Sequence, residues 1–135
     1  MDRILVDTNI VLDLLSKREG FYKEAQELFT LADQSKVKLY ISSLTLANTH
    51  YLLTRNHKLD EARKILIKFK VLVTVLSMDD KILGLTLSSD FKDFEDAIQY
   101  HTALENELDL IITRNKKDFK TSALPVLTAK EYLKK

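Results

Sequence analysis

Carboxylates and carboxamides concentrate in four short stretches of the chain. Asp7-Thr8-Asn9 follows the apolar run Ile4-Leu5-Val6, and Asn48 stands a few residues after Lys38-Leu39-Tyr40-Ile41. Asp93, Glu95 and Asp96 open a helical pattern that leads into Leu110-Ile111-Ile112-Thr113, after which come Asn115 and Asp118. Carboxylates brought to one rim repel each other and raise at least one pKa unless a cation offsets them. A hard divalent ion such as Mg²⁺ takes one or two carboxylates directly and keeps several waters. The chemistry of this set is therefore that of an acidic metal pocket. Singly, each residue has a plainer role. Asp7 or Thr8 serves as a helix cap, Asp93 and Asp96 favour a positive helix N-terminus, and Asn115 and Asp118 form turns. Only their convergence would distinguish the two readings.

Other chemistries lack their residues. His50, His57 and His101 have no metal-ligand spacing with one another, and His101 falls on the apolar stripe of its helix. Cysteine is absent, which removes thiol catalysis, disulfides and thiolate metal sites. With 2 glycines in the chain there is no phosphate-cradling G-x-G-x-x-G or Walker A loop.

The elements that must position the acids are short. Ile4-Leu5-Val6, Lys38 to Ile41, Val71 to Leu76, Leu110 to Thr113 and Pro125-Val126-Leu127 read as buried strands of a parallel sheet. Between them, Phe21, Ala25, Leu28, Phe29 and Ala32 keep a helical period, as do Ala62, Ile65, Leu66 and Phe69, and Phe94, Ala97, Ile98, His101 and Leu104. Asp60 and Asp79 sit where helix caps are expected, and Ser89 or Asp90 where a cap or break is. This alternation predicts an α/β fold, a three-layer α/β/α sandwich with about five mostly parallel strands and right-handed crossovers. In such sheets ligands gather outside the carboxyl ends of the strands, where the candidate acids stand.

Composition bounds the rest. The 135 residues are 45% hydrophobic and 30% charged, the balance of an ordinary globular chain, and residues 1–135 are expected to form one domain. No signal-peptide pattern opens the sequence and no apolar stretch approaches the ~20 residues of a membrane span, so a cytoplasmic protein is expected. The net charge of +1 conceals segregation: residues 55–70 carry a net +4, residues 79–109 a net −7, and residues 111–135 a net +5. Solvated helix faces produce such blocks, and so does an acidic pocket bordered by basic surface, the field expected around a phosphate-cleaving metal site.

The same stretches carry a family resemblance. Ile4-Leu5-Val6-Asp7-Thr8-Asn9, Ile41-Ser42-Ser43-Leu44-Thr45, Asp93-Phe94-Glu95-Asp96-Ala97-Ile98-Gln99 and Ile111-Ile112-Thr113-Arg114-Asn115-Lys116-Lys117-Asp118-Phe119 come in the order seen in PIN domains, the nuclease fold of VapC-type toxins. The resemblance implies an endoribonuclease whose acidic quartet binds Mg²⁺ or Mn²⁺. Asp7 matches the first acid and Asp96 the third, the fourth lies at Asn115 or Asp118, and Thr8 matches a supporting hydroxyl. The sequence departs from the common pattern at Asn48, where a Glu is usual. It resembles there a subset of PIN-like proteins with Asn, and Asp93, one turn before Asp96, is a candidate to supply the missing charge.

These residues imply metal-assisted phosphodiester hydrolysis with Asp7 and Asp96 as principal ligands and Asp118 or Asn115 completing the site. Arg55, Lys58, Lys116 and Lys117 are the candidates to hold an RNA backbone, and single-stranded or looped RNA is the more accessible substrate. PIN-like toxins resemble one another in forming homodimers and in being blocked by an antitoxin. Leu12, Leu14, Leu15, Phe21 and Tyr22 are candidates for such a surface, or else core. A competing reading is a PIN-like domain that binds RNA or a protein without cutting, favoured by Asn48. Another is a receiver-like phosphoacceptor domain, disfavoured because only Asp7 stands at the end of the first strand.

Overall fold

The computed structural model describes Met1–Lys135. Along the chain come β1 (Arg3–Val6), α1 (Thr8–Leu15), α2 (Tyr22–Asp33), β2 (Lys38–Ser42), α3 (Ser43–Leu53), α4 (Leu59–Phe69), β3 (Val73–Leu76), α5 (Asp80–Leu87), α6 (Phe94–Glu105), β4 (Leu110–Ile112), β5 (Val126–Leu127) and α7 (Ala129–Leu133). The strands form one sheet ordered β3-β2-β1-β4-β5, and every pairing is parallel. Helices cover both faces, so the expected three-layer α/β/α sandwich is the one that forms.

Period-two alternation along the strands divides the core in two. Ile4 and Val6 of β1, with Leu110 and Ile112 of β4, meet Ala25, Leu28 and Phe29 of α2 and Leu66 and Phe69 of α4. Leu5 and Ile111 face the other way, onto Tyr100 and Ala103 of α6 and onto Phe119. Burying each large apolar side chain contributes roughly 1.5–3 kcal/mol. Phe29 locks α2 to α4 through an edge-on contact with Phe69 at 5.4 Å between ring centroids. No helix is long and apolar enough to cross a membrane.

Three expectations shift. The run from Val71 does not begin as a strand: Lys70–Leu72 is a tight 3₁₀ turn with Val71 84% exposed. Pairing starts with Val73 opposite Leu39, so the two residues before it have no strand to join. Asp60 is not the cap of α4; the helix begins at Leu59, and the Asp60 carboxylate accepts from the Glu61 N–H within the first turn. Among the early apolar residues, Leu12 is buried, Leu14 and Leu15 pack on the core and Tyr22 is half-buried, which leaves Phe21 as the exposed one. Asp79 does cap α5, accepting from the Ile82 N–H at 2.9 Å.

Candidate metal centre

The order of the strands puts β1 beside β4, where the connectivity reverses, the place at which open α/β sheets leave a crevice for ligands. Asp7 follows β1 there, its N–H still bonded to the Ile112 carbonyl at 3.0 Å. Only 6% of it is exposed. It occupies the cap position of α1, but a cap ordinarily accepts from the second or third helical N–H. The Asp7 carboxylate accepts from the first, Thr8, at 2.8 Å, and turns the rest of its capacity elsewhere: Oδ1 to the Gln99 amide at 3.2 Å and Oδ2 to the Thr113 hydroxyl at 2.8 Å. Capping alone does not account for this. Of about four lone pairs on an ionised carboxylate, three are engaged and one on Oδ2 is left.

Neutral hydroxyls and amides build the floor beneath Asp7. The Thr8 and Thr45 hydroxyls meet at 2.9 Å, Gln99 Nε2 also donates to Thr45 Oγ1 at 2.7 Å, and Ser42 donates to the same oxygen at 3.2 Å while capping α3. Gln99 is 2% exposed and its carbonyl oxygen is left without a partner.

Above the floor lies a hollow of about 300 Å³ lined by the carboxylates of Asp7, Asp93, Glu95, Asp96 and Asp118, together with Thr8, Asn115, Gln99 and Arg18. Burial, and then the charges of Asp7, Asp93, Asp118 and Glu95, push the Asp96 carboxyl up to about 7. That crowding is the electrostatic signature of a site lacking positive charge. No three of the acids converge closely enough to enclose an ion by themselves. Carboxylates, hydroxyls and carboxamides are an all-oxygen donor set, which fits a hard divalent cation that takes one or two carboxylates and keeps several waters. The spare lone pair of Asp7 is a further oxygen donor of the right kind.

The candidates read from the sequence are distributed unevenly. Asp7, Thr8, Asp93, Asp96, Asn115 and Asp118 come together around the hollow. Asp93 also caps α6, one oxygen accepting from the Asp96 N–H at 2.9 Å. Asn48 does not line it: Thr45 and Thr49 take the buried face of α3, and Asn48 is left half-buried at the edge, donating to Glu95 Oε1 at 3.4 Å. Arg55, stacked on Tyr51, and Lys58, at the start of α4, also lie outside the lining. Lys116 is tied to Glu131 at 3.0 Å, a residue engaged in the capping box of α7. Lys117 lines an adjoining hollow with Lys92 and Lys120 that shares Asp93 and Asp118 with the acidic one.

Sequence reasoning passed over Gln99, Thr113, Thr45 and Arg18. The first was findable, because Gln99 falls one turn after Asp96 and so shares its helix face. Thr113 sits where Asp7 does, directly after a strand, on the neighbouring strand.

Behind α1 is a second hollow, of about 330 Å³, lined among others by Asp13, Phe21 and Arg114. Asp13 is 1% exposed. Its carboxylate meets Arg114 at 3.1 Å and Arg18 at 4.0 Å, and Arg114 lies over the Phe21 ring at 4.0 Å. Burial raises the Asp13 pKa and the two guanidiniums oppose it.

Comparison with known proteins agrees with this geometry. The family described as PIN domain matches residues 3–117. Ribonuclease VapC1 of Aquifex aeolicus (strain VF5) is 26% identical over 139 residues, covering 97% of this chain and 93% of that protein. A toxin–antitoxin complex from Klebsiella pneumoniae contains a chain 28% identical, with a TM-score of 0.69 and coverage of 93% and 97%. VapBC2 from Rickettsia felis, solved bound to a DNA fragment from its promoter, has the same fold at 20% identity, a TM-score of 0.69 and coverage of 93% and 96%.

Proposed function

The chain belongs to the PIN-domain family, and from that premise we propose that it is an endoribonuclease, the toxin of a toxin–antitoxin pair, and that it depends on Mg²⁺ or Mn²⁺. One observation carries the reading: five acids line a hollow at the strand ends with a single basic side chain among them, and burial together with the neighbouring carboxylates pushes the Asp96 carboxyl to about 7. The names of the relatives, a ribonuclease and toxin–antitoxin complexes, point the same way.

The residues divide the work. Thr8, Thr113 and Gln99 fix the Asp7 carboxylate and leave it one lone pair to offer. Asp96 and Asp118 face the same space, and Asp93, with its cap bond, holds the start of α6 in place. A divalent cation held by Asp7 and Asp96, with Asp118 or Asn115 reached through water, would stabilise charge developing on the phosphate and acidify a water. Lys117, beside Lys92 and Lys120 in the adjoining hollow, offers the phosphodiester backbone a path toward the acids. The partners are single-stranded or looped RNA as substrate, a second copy of the chain, and an antitoxin that covers the hollow.

The test is cleavage of mixed-sequence single-stranded RNA by the purified protein with Mn²⁺ or Mg²⁺, beside Asp7→Asn. Cutting by the wild type and none by the variant supports the reading; equal activity sinks it. A second reading, a domain that binds RNA without cutting, is motivated by the neutral Asn48. It requires Mn²⁺ and RNA binding with no cleavage. That Asn48 stands outside the five-carboxylate hollow removes much of its force.

A further inference from the structure

Arg18 is the only basic side chain lining the acidic hollow. It forms an ion pair with none of the five carboxylates there; its carboxylate partner is Asp13, on the far side of α1, at a loose 4.0 Å. Arg114 is the closer partner, its Nε 3.1 Å from Asp13 Oδ2, so Asp13 keeps one guanidinium beside it when Arg18 turns away. Two guanidiniums on one buried carboxylate leave one positive charge in surplus, and Arg114, stacked on Phe21, is the one already committed.

The main chain of Arg18 is meanwhile held firmly. Its N–H donates to the Asp13 carbonyl at 3.1 Å, and its own carbonyl accepts from Phe21 at 3.1 Å and Tyr22 at 2.8 Å. These bonds fasten the α1–α2 connection at both ends, so the side chain, 42% exposed, swings from a fixed base. A guanidinium fork matches two oxygens of a phosphodiester, and an anion approaching five carboxylates is repelled unless a cation meets it.

We propose that Arg18 grips the phosphate to be cleaved and that Asp13 is a positioning residue that presents it, an inference that rests on the ribonuclease reading above. Substrate draws Arg18 away from Asp13, and Arg114 keeps the buried carboxylate paired when it leaves. Arg18 then supplies charge-assisted hydrogen bonds to the non-bridging oxygens from the side of the hollow formed by α1.

The experiment compares Arg18→Gln, Arg18→Lys and Asp13→Asn with wild type in single-turnover cleavage of mixed-sequence single-stranded RNA with Mn²⁺. RNA affinity is read against salt in an Asp96→Asn background. Arg18→Gln is expected to lower the cleavage rate by about 10²–10³-fold, to leave the thermal midpoint unchanged, and to reduce the salt slope of binding by about one. Arg18→Lys, which keeps the charge without the fork, recovers part of the rate. Asp13→Asn lowers the rate less and keeps the salt slope. Arg18→Gln cutting like wild type while Asp7→Asn is dead overturns this inference alone. So does a rate loss matched by a fallen midpoint that Lys does not repair. If wild-type protein cuts no RNA, the ribonuclease reading fails and the binding arm decides Arg18: an unchanged salt slope overturns it, whereas a slope reduced by one retains it as a phosphate contact.

Discussion

Asp7 and Asp13 stand at the start of α1 and two turns into it, almost equally buried, and the protein treats them in opposite ways. Asp13 has two guanidiniums. Asp7 has an N–H, a hydroxyl and an amide, all neutral, and its charged neighbours around the hollow are four carboxylates and a single guanidinium, Arg18, that forms an ion pair with none of them. A buried charge without a partner is costly, and natural folds avoid it unless something outside the chain completes the pair. α1 thus separates a hollow balanced by the chain itself from one that awaits a cation. The asymmetry teaches that the acidic hollow is not a general feature of this sheet edge, since the same helix carries a second buried acid that the chain meets with its own guanidiniums, even though burial still raises its pKa.

The sharpest way to break this comparison is Asp96→Asn. Cleavage is expected to fall by about 10²–10³-fold, as when a group stabilising transition-state charge is lost. The thermal midpoint of the cation-free protein should hold or rise, because a crowded carboxylate has been neutralised. Retained cleavage with a lower midpoint would make Asp96 a structural acid, no different in kind from Asp13.

On the balanced side the expectation inverts. Arg114→Met should strike stability, since it takes the nearer partner from a buried carboxylate. Breaking a buried pair costs about 3–5 kcal/mol. The remaining Arg18 and the partial exposure of Arg114 bring this to about 2–3 kcal/mol, or a midpoint lower by about 8–10 °C at this chain length. If Asp7→Asn destabilises as much as Arg114→Met, measured by calorimetry, the contrast between the two hollows disappears.

Much of this was readable in the sequence, for a physical reason. Strands buried on both faces are written as continuous apolar runs, and residues following such runs must emerge at one sheet edge. Asp7, Asn115 and Asp118 followed from that, as did the order of elements, whereas Asp96, at the start of the helix that leads into β4, is singled out by its acidic cluster and by the family resemblance. What escaped depended on side-chain direction. Position 48 on α3 gives no sign that Thr45 and Thr49 own the buried face. Arg18 sits in a connection between two helices, where no periodicity reports its aim, and its place follows from the bonds Arg18 makes with Asp13, Phe21 and Tyr22. The start of β3 escaped because Val71 is apolar yet lies beyond the pairing that begins at Leu39 and Val73.

A smaller effect tests the imbalance through pH. Without a divalent cation the folded Asp96 carboxyl titrates at about 7, whereas in the unfolded chain it does so near the ordinary ~4. The folded state therefore holds its proton more tightly, and stability falls as pH rises through that window and levels off above it. Solvent screening at this half-buried group limits the change to about 1 kcal/mol, or about 3 °C in midpoint. Asp13, raised in the same direction by burial, adds to the slope in both proteins. The informative quantity is thus the difference between wild type and Asp96→Asn, which should appear in chelator and vanish in Mn²⁺. A difference that survives saturating Mn²⁺ would mean that the cation does not reach Asp96.

The smallest expected effect is at Asn48. In the common family pattern a Glu stands at this position, and a carboxylate in the hollow itself would tighten divalent binding by tenfold or more. The geometry argues for less. Asn48 is half-buried and hydrogen-bonded to Glu95 at the edge, not to Asp7 or Asp96. A charge added there acts largely through water: at ~7 Å and a dielectric of ~80 the attraction between a divalent cation and an added unit charge is about 1.2 kcal/mol, and screening at physiological ionic strength, with a Debye length of ~8 Å, brings it to about 0.5 kcal/mol, between twofold and threefold in affinity. Repulsion from Glu95 should lower cation-free stability by no more than about 0.5 kcal/mol, the scale of exposed charge pairs. Mn²⁺ titration calorimetry on Asn48→Glu checks both the hollow and its edge. A gain of threefold or less leaves the five carboxylates already present as the whole acidic complement. A gain of tenfold would mean that the longer side chain turns inward past Glu95, and that the neutral residue in this chain weakens a site built for one more acid.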